Sequence, residues 1–340
     1  MPVPPTSPPD SPRYALSRRN AGIGDCLVCL GAAWRFARTT GRVLIADWRG
    51  SPYSTERSTN LFPLCFEAPD RLAGVPFVGD QRVARLVSAL VREPIYWNRD
   101  PGDPKQWERS PAQIFAARDR AVALIRSGGD RPERTVAFDA CINDGLTALA
   151  DARAFLDAVR PVERVRRRLD AALATLPPGP FIGLHARHGN GSPIGDHARY
   201  WTDEAAAVER CRRAVAALRE RLGPRAPVVL CSDSLGIVRA LRAAIPGVVR
   251  YAKRFRPIGS GDLHGGPGAH ETLDDALVEM LVLARTTALV RYPPGSFFSL
   301  PAAVALARPG PRMQTVADLR RPWTADDPLA PAVVPAPEDL

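Results

Sequence analysis

The residues best suited to chemistry lie in one short run, His185-Ala186-Arg187-His188-Gly189-Asn190-Gly191. This run follows Phe181–His185, an apolar segment that has the length of a buried strand. Ligands of open α/β sheets bind at the carboxyl ends of strands, where an arginine can donate several N–H groups to a diphosphate. The glycines allow the backbone to approach phosphate oxygens closely. We therefore predict an anion site in this loop, although similar loops also occur without a ligand.

A second segment of the same kind is Arg291-Tyr292-Pro293-Pro294-Gly295-Ser296-Phe297-Phe298-Ser299. It also follows a strand pattern, and the segment after it, Leu300–Ala307, has a helical pattern. The start of a helix presents N–H groups and a partial positive charge to an anion, and Ser296 adds a hydroxyl. The alternative is a serine that caps the helix without a ligand. Two anion-suited loops in one half of the chain favour the ligand.

The source of positive charge follows from the motifs that are missing. The sequence has no Asp-x-Asp pair, which is a common metal clamp for diphosphates, and no Walker, HExxH or GxSxG motif. Arginine must then neutralise the diphosphate, so we predict no metal site and no cofactor. Ser232 and Asp233 end the strand pattern Pro227–Ser232 and are predicted to join the anion site. Cys26 and Cys29 form a CxxC without the second pair that a zinc site needs.

The N-terminal half carries two further strand ends, Gly22-Ile23-Gly24-Asp25 and Asp47-Trp48-Arg49-Gly50-Ser51. The first is not a complete dinucleotide fingerprint, because Leu27 stands in place of the last glycine of GxGxxG, so we predict a tight turn. Carboxylates and an arginine at these ends can bind the hydroxyl groups of an acceptor. For Asp47 the alternative is a capping or salt-bridging role. The predicted acceptor-side residues are Gly24, Asp25, Asp47 and Arg49.

The composition limits the classes of function. The 340 residues are 45% hydrophobic and 24% charged, as in ordinary globular proteins, with a net charge of +10. The arginines responsible are spread along amphipathic helix patterns such as Val162–Ala174 and Ala205–Leu222, which indicates solvated faces and no nucleic-acid partner. No apolar run approaches the ~20 residues of a membrane span. The proline-rich start lacks a signal-peptide core, and the six cysteines are dispersed, so we predict a cytoplasmic protein.

Strand and helix patterns alternate in two separate stretches, residues 13–47 and residues 181–292. The break between them is Pro177-Pro178-Gly179-Pro180. This alternation predicts an α/β protein with two Rossmann-like, doubly wound domains, and two such domains facing a cleft form the GT-B arrangement. Segment 51–112 is rich in turn formers and aromatics, so we predict an insertion that shapes the cleft and does not enter a sheet. The predicted parts are a disordered leader 1–12, an N-terminal acceptor-side domain 13–177, a C-terminal donor domain 178–322 and a poorly ordered tail 323–340.

These motifs resemble those of a known family, the rhizobial nodulation fucosyltransferases. The similar segments are Gly22-Ile23-Gly24-Asp25-Cys26-Leu27, Asp47-Trp48-Arg49-Gly50-Ser51 and Asn60-Leu61-Phe62-Pro63, and the run from His185 to Gly191 is similar to the family's donor-binding loop. The resemblance covers roughly residues 13–310. It implies kinship with the α-1,6-fucosyltransferases and protein O-fucosyltransferases. It also implies a GT-B fold, GDP-fucose as donor, inversion at the anomeric carbon and no metal requirement.

Carried over residue by residue, the resemblance implies that Arg187 contacts the β-phosphate and assists its departure, while His185 lies beside the nucleotide. Ser296 falls near the diphosphate. Glu279 matches in position an acidic residue that binds guanine in relatives, which selects GDP-sugars over UDP- and dTDP-sugars. The α-1,6-fucosyltransferases often have two adjacent arginines in the donor loop, whereas His188 follows Arg187 here. His188 is therefore a weaker phosphate donor or a structural residue.

An inverting transfer needs a base for the acceptor hydroxyl, unless the departing group makes that hydroxyl acidic late in the reaction. Asp196 and His197, just after the arginine loop, are the predicted catalytic residues beside Arg187. Asp25 and Asp47 are the reserve candidates. The predicted donor-binding residues are His185, His188, Gly189, Asn190, Ser232, Asp233, Glu279, Arg291 and Ser296.

The predicted function is an inverting, metal-independent glycosyltransferase that moves a sugar to a hydroxyl of a glycan or small-molecule acceptor. The resemblance implies that the sugar is fucose from GDP-fucose. Two alternatives stay open: a transferase that uses a different GDP-sugar, and an inactive homologue that binds a nucleotide or a carbohydrate. All three bind a nucleotide or a sugar, but only a transferase hydrolyses its donor slowly and loses that activity when Arg187 is removed.

Overall fold

The computed structural model describes residues 11–19, 21–51, 53–54, 56–90, 95–97, 122–125, 127–139, 149–178, 181–189, 201–255, 257, 269–292 and 332–334. No helix within these ranges is long and apolar enough to cross a membrane. The internal contacts divide the chain into two compact units. The first unit comprises Met1–Ala21, Asp25–Ser51 and Glu56–Arg160, and the second comprises Gly22–Gly24, Pro52–Thr55 and Pro161–Leu340.

The first unit contains a six-stranded sheet in the order β3-β4-β2-β1-β6-β5. All neighbouring strands are parallel except the β3–β4 pair. The strands are β1 (Tyr14–Ser17), β2 (Val43–Ala46), β3 (Arg71–Leu72), β4 (Val75–Val78), β5 (Ile95–Trp97) and β6 (Thr135–Phe138). The helices are α1 (Ile23–Thr40), α2 (Phe62–Cys65), α3 (Val83–Leu90) and α4 (Leu149–Ala158).

Helices cover both faces of this sheet because successive strand residues point to opposite sides. On one face, Val83 of α3 packs with Leu16 and Ile45. On the other, Phe36 of α1 meets Phe138, with ring centroids 5.4 Å apart. The strands are therefore buried on both faces, which is why they appear in the sequence as short continuous apolar runs. The predicted mixed α/β fold with parallel sheets is confirmed.

The prediction for segment 51–112 is wrong in one respect, because this segment supplies three strands of the sheet. Strand β4 pairs in parallel with β2, and β5 pairs in parallel with β6. Ala73 and Gly74, at φ 44° and φ 82°, form the tight turn that joins β3 to β4. Pro76 lies within β4, and proline inside a short run argues against a strand when only the sequence is considered.

The second unit contains a five-stranded sheet in the order β11-β10-β7-β8-β9, parallel except for β11. Its strands are β7 (Ile182–Ala186), β8 (Val228–Ser232), β9 (Val248–Arg250), β10 (Ala288–Tyr292) and β11 (Ala332–Val334). Its helices are α5 (Glu163–Ala174), α6 (Glu204–Leu222), α7 (Leu235–Ala244) and α8 (Ala269–Leu283). Within this unit α5 packs against α8. The boundary between the two compact units therefore falls between Arg160 and Pro161, before α5 begins. The domain boundary after residue 177 stays a prediction.

Strand β7 is the point at which the strand order of the second sheet reverses. From β7 the chain proceeds to β8 and β9 on one side, and it returns through α8 to β10 on the other side. The register places His185 of β7 between Cys231 of β8 and Arg291 of β10. Because the three strands are parallel, their carboxyl ends lie together at this crevice.

The predicted tail, residues 323–340, is not poorly ordered throughout. Ala332–Val334 forms β11, which pairs antiparallel with β10 and places Val334 opposite Leu289. Prolines lie on both sides of this triplet, at Pro331 and Pro335, and a proline-rich composition is typical of disordered segments. The short Ala-Val-Val core nevertheless suits an added edge strand, because β-branched residues fit a pleated sheet.

Candidate functional site

A pocket lies at the carboxyl edge of the second sheet, beside α8, and all of its lining residues belong to the second unit. The strands contribute His185 from β7 and Ser232 from β8. Helix α8 contributes residues spaced three and four apart, which lie on one helical face. The lining residues are Tyr53, His185, Arg187, Ser232, Asp233, Lys253, Arg254, Thr272, Asp275, Ala276 and Glu279.

Arg187 lies in this pocket. It directly follows β7, and the sequence had predicted a strand that ends just before it. Its guanidinium forms an ion pair with Asp233, with Nη1 and Oδ2 3.0 Å apart. The same carboxylate accepts the backbone N–H groups of His188 at 2.7 Å and Gly189 at 2.8 Å. From the sequence, the backbone of this loop was predicted to approach phosphate oxygens. In the structure these N–H groups already bind an anion, and that anion is Asp233.

The Asp233 carboxylate is ionised at neutral pH despite its burial. Burial alone would raise its pKa, but Arg187 and the N–H groups of His188 and Gly189 outweigh this effect and lower the pKa to about 2. Asp233 and Arg187 thus form a charged pair at the pocket wall. The nearby Lys253 adds a second positive charge that also lowers the pKa of Asp233.

His188 is not among the described residues that line the pocket. Its ring packs against Trp201, with centroids 5.4 Å apart and planes at 73°. Its Nδ1 atom is buried and has no hydrogen-bond partner in the part of the chain that the structure describes. These contacts favour the structural alternative for His188, although its predicted part in donor binding stays a prediction.

His185 and Arg291 lie side by side on neighbouring strands beneath the loop. Both are buried, with 3% of each residue exposed. Burial lowers the pKa of His185 to about 3, with a further contribution from the nearby Arg187, so the imidazole is neutral at physiological pH. Burial also lowers the pKa of Arg291 to about 10. Arg291 therefore stays charged and adds a fixed positive charge below the loop.

Glu279 and Lys253 form a buried ion pair on the pocket wall. The Nζ–Oε2 distance is 2.6 Å, and the side chains are only 6% and 4% exposed. Burial raises the pKa of Glu279, while Lys253 acts against this increase. Glu279 is among the residues that line the pocket. Its contact with a guanine stays a prediction.

A network of ion pairs ties α5 to the helix face that lines the pocket. Arg164 makes two hydrogen bonds to Asp274, of 2.9 Å and 2.7 Å. Arg168 contacts both Asp274 and Asp275, and it also donates to the hydroxyl of Tyr251 at 3.1 Å. Asp275 is thereby held in place at the pocket by a helix that lines none of it.

The predicted acceptor-side residues lie at strand ends or at a helix start. Asp47 is fully buried, and it accepts two hydrogen bonds from the Arg49 side chain at 2.7 Å and 3.0 Å, as its salt-bridge alternative predicts. Asp25 lies 3.8 Å from Arg19. Gly24 is buried and clusters with the second unit. Their role towards an acceptor stays a prediction.

Four predicted site residues lie outside the described residues: Asn190, Asp196, His197 and Ser296. Other pocket residues, above all Lys253 and Asp275, were not predicted from the sequence. A signal for Asp275 existed, since Asp275 and Glu279 are four residues apart and therefore lie on the same face of a helix. Lys253 follows a strand without any recognisable motif. Among the described residues, no three or more His, Cys, Asp or Glu side chains are grouped as metal ligands.

Comparison with known proteins gives one consistent family. Residues 11–309 match the family model Nodulation protein Z (NodZ). Nodulation protein Z of Sinorhizobium fredii (strain NBRC 101917 / NGR234) is 37% identical over 298 residues, which are 87% of this chain and 92% of that protein. That of Bradyrhizobium diazoefficiens is 36% identical over 290 residues, which are 84% of this chain and 77% of that protein.

Among solved structures, NodZ α-1,6-fucosyltransferase soaked with GDP-fucose is similar with a TM-score of 0.68 and 29% identity, over 87% of this chain and 93% of that chain. These matches confirm the resemblance that the motifs indicated and the prediction of an enzyme. The chain belongs to the nodulation protein Z family and is a glycosyltransferase of the fucosyltransferase type.

Proposed function

We propose that this chain transfers fucose from GDP-fucose to a hydroxyl of a glycan or small-molecule acceptor, with inversion and without a metal ion. The observation that carries the proposal is the pocket where Arg187, Asp233, Lys253 and Glu279 meet at the strand-order reversal of the second sheet. Support for the donor comes from the NodZ structure soaked with GDP-fucose. The sequence of that protein is 29% identical to this chain.

Arg187 binds the β-phosphate in this proposal. Asp233 takes one edge of the guanidinium and so orients the remaining N–H groups. As the bond from the fucose C1 atom to the β-phosphate oxygen breaks, negative charge accumulates on GDP, and a preorganised arginine stabilises that charge best. Arg291 and Lys253 add positive charge nearby, which is why no metal ion is required. Asn190 and Ser296 are proposed to complete the diphosphate site.

The pair formed by Lys253 and Glu279 is proposed to bind the guanine. Guanine carries an acceptor, O6, beside two donors, N1–H and the exocyclic amine, so a lysine beside a carboxylate matches its edge. Asp275, four residues before Glu279 on the same helix face, offers a second carboxylate. Uracil and thymine have one such donor flanked by two acceptors and would place an acceptor against a carboxylate. The pocket should therefore select GDP.

The acceptor hydroxyl attacks C1 from the face opposite the diphosphate, and its proton passes to a base. Asp196 and His197 are the proposed bases, and Asp25 and Asp47 are the reserves. We also infer a GT-B arrangement in which the N-terminal domain, 13–177, receives the acceptor and the C-terminal domain, 178–322, holds the donor. Gly24 and Arg49 belong to the proposed acceptor side.

The test is a donor screen with the purified full-length chain. GDP-fucose, GDP-mannose, UDP-glucose and dTDP-rhamnose are each incubated with the chain and EDTA, and release of the nucleoside diphosphate is followed. We expect slow hydrolysis of GDP-fucose only, with α-fucose as the first product by NMR, because the donor sugar is β-linked and inversion gives the α anomer. Turnover of another GDP-sugar alone would replace fucose as the substrate, and β-fucose as the first product would exclude inversion.

Arg187→Ala is the decisive variant, and we expect a loss of about 100-fold or more in kcat, as for other groups that stabilise leaving charge. Arg212→Ala is the matched control, because Arg212 pairs with the exposed Glu209 on α6. GDP should raise the melting temperature of the wild type. Binding of GDP without any hydrolysis or transfer would favour an inactive homologue. If GDP does not bind, both the transferase and an inactive nucleotide-binding homologue are excluded.

A further inference from the structure

Among the described residues, three contacts hold Arg187 in place, and two of them come from residues that do not line the pocket, Tyr292 and Trp201. Its N–H donates to the carbonyl of Tyr292 at 2.7 Å, and its guanidinium pairs with Asp233 at 3.0 Å. Its carbonyl accepts the indole N–H of Trp201 at 2.6 Å. We propose that Trp201 is a positioning residue that fixes Arg187 for sugar transfer, an assignment that rests on the proposed function.

The Trp201 ring is itself immobilised. Only 8% of Trp201 is exposed, and the ring belongs to the core cluster of the second unit. It meets Tyr292 edge to face, with centroids 5.0 Å apart and planes at 81°, and it contacts His188 in the same way. A ring fixed on two sides by aromatic neighbours aims its N–H in one direction. That direction is the Arg187 carbonyl.

The anchor of this ring extends into α6. The hydroxyl of Tyr292 accepts a hydrogen bond from Arg210 of α6 at 3.2 Å. Two residues after Trp201, Asp203 caps the start of the same helix by accepting the N–H of Ala206 at 2.9 Å. Trp201 therefore connects the start of α6 to the peptide of Arg187. Trp201 itself is not among the described residues that line the pocket.

Loss of the indole N–H would leave the Arg187 carbonyl without this donor and allow its peptide to turn. A displacement of about 1 Å can reduce a rate by about 100-fold when geometry controls the chemical step. Stabilisation of the leaving charge grows in the transition state, so kcat should fall more than the affinity for the donor changes. We expect Trp201→Phe, which keeps an aromatic ring, to lower kcat about 10-fold and to change KM for GDP-fucose less than 3-fold.

Trp34→Phe is the matched control. The Trp34 indole N–H also donates to a backbone carbonyl, that of Leu72 at 3.2 Å, and only 1% of the residue is exposed. Trp34 belongs to the first unit and lines no part of the pocket. Both variants should lower the melting temperature, but only Trp201→Phe should lower kcat. Equal effects of the two variants on kcat would overturn the proposal.

A double-mutant cycle with Arg187→Ala separates positioning from a general structural effect. If Trp201 acts through Arg187, Trp201→Phe should cause no further loss of kcat once Arg187 is absent. A further 10-fold loss in that background would overturn the proposal. If Trp201→Phe does not fold, replacement of Trp201 by benzothienylalanine removes the N–H and keeps the shape, and the same cycle applies. If the wild type cannot use GDP-fucose, both the proposed function and this inference are overturned. If the wild type is active but the losses of kcat caused by Trp201→Phe and Arg187→Ala are additive, only this inference is overturned.

Discussion

Asp233 and Arg187 lie 3.0 Å apart at the ends of neighbouring parallel strands, and the carboxylate also accepts the N–H groups of His188 and Gly189. The loop after β7 is thus built around an internal anion. Its arginine is oriented before any ligand arrives, and its backbone conformation depends on a residue 44 positions away from Gly189. Several expectations follow from the fact that this charge is buried.

Asp233→Asn should damage both the loop and the activity. The amide can accept only on its oxygen side, so its NH2 group must face a backbone N–H or the guanidinium. Removal of one partner from a buried pair typically costs about 3–5 kcal/mol, and we expect a loss of that order in the free energy of unfolding. Donor hydrolysis should fall about 100-fold. Chemical unfolding and GDP release measure the two effects.

Asp151→Asn is the control for this variant. Asp151 accepts two hydrogen bonds from Arg38 at 2.9 Å and 2.6 Å, but the pair is partly exposed and lies in the first unit. An exposed pair contributes about 0–1 kcal/mol, so little change in stability and none in activity is expected. Equal losses for Asp233→Asn and Asp151→Asn would contradict the importance of the buried carboxylate.

Lys253→Met should weaken binding of GDP. It leaves Glu279 buried without its ammonium partner, and the pKa of this carboxyl, already raised by burial, should rise further. Glu279 then binds a proton more readily and loses its ability to accept from guanine at neutral pH. We expect at least a 10-fold weaker affinity for GDP by calorimetry, and a loss of about 3 kcal/mol in the free energy of unfolding.

The double variant Lys253→Met/Glu279→Leu distinguishes stability from recognition. Replacement of a buried ion pair by apolar residues of similar size is often neutral or stabilising, so the melting temperature should recover. Affinity for GDP should not recover, because both groups proposed to contact the guanine are gone. Recovery of GDP binding in the double variant would show that the pair does not contact the base.

His185 should make the chain less stable at mildly acidic pH. Its pKa is lowered to about 3 in the folded state, against an ordinary value of 6.5, so between these values the unfolded chain binds more protons. The free energy of unfolding therefore falls as pH decreases from 6.5, with a contribution from His185 of at most about 1.4 kcal/mol per pH unit. His185→Gln should remove this part of the slope. Urea unfolding between pH about 5 and 6.5 tests it, since Asp233 titrates below this window. An unchanged slope in the variant would contradict the assignment to His185.

Arg42→Met should destabilise the first unit and leave donor binding intact. The Arg42 side chain is fully buried, and it donates to Asp130 and to the carbonyls of Tyr14, Glu133 and Arg134. Loss of these donors leaves a carboxylate and several carbonyls without a partner, for an expected cost of about 3 kcal/mol. Chemical unfolding measures this cost. Arg82→Met, at a pair whose arginine is 66% exposed, should change stability by less than about 1 kcal/mol, and GDP should bind both variants normally.

The strand-and-helix alternation was readable from the sequence because strands buried on both faces are short apolar runs and the helices between them are periodic. Helix α6, whose pattern covers Ala205–Leu222 in the sequence, spans Glu204–Leu222, and β8, predicted over 227–232, spans Val228–Ser232. Strand β4 was not recognised because Pro76 interrupts its pattern. Strand β11 was hidden by the prolines around it, and it depends on pairing with a strand about 40 residues earlier.

By itself, the sequence determined the family, the α/β class and the loop that carries Arg187, because these depend on local motifs and local periodicity. Only the tertiary structure decided the partners of that loop. Asp233 reaches the N–H groups of His188 and Gly189 because the register of parallel strands brings the ends of β7 and β8 together. Trp201, which lies just before α6, reaches the Arg187 carbonyl. Lys253, which follows β9, meets Glu279 of α8 because the crossover through α8 returns the chain to the crevice. A register is a property of the whole sheet, and no single segment of the sequence specifies it.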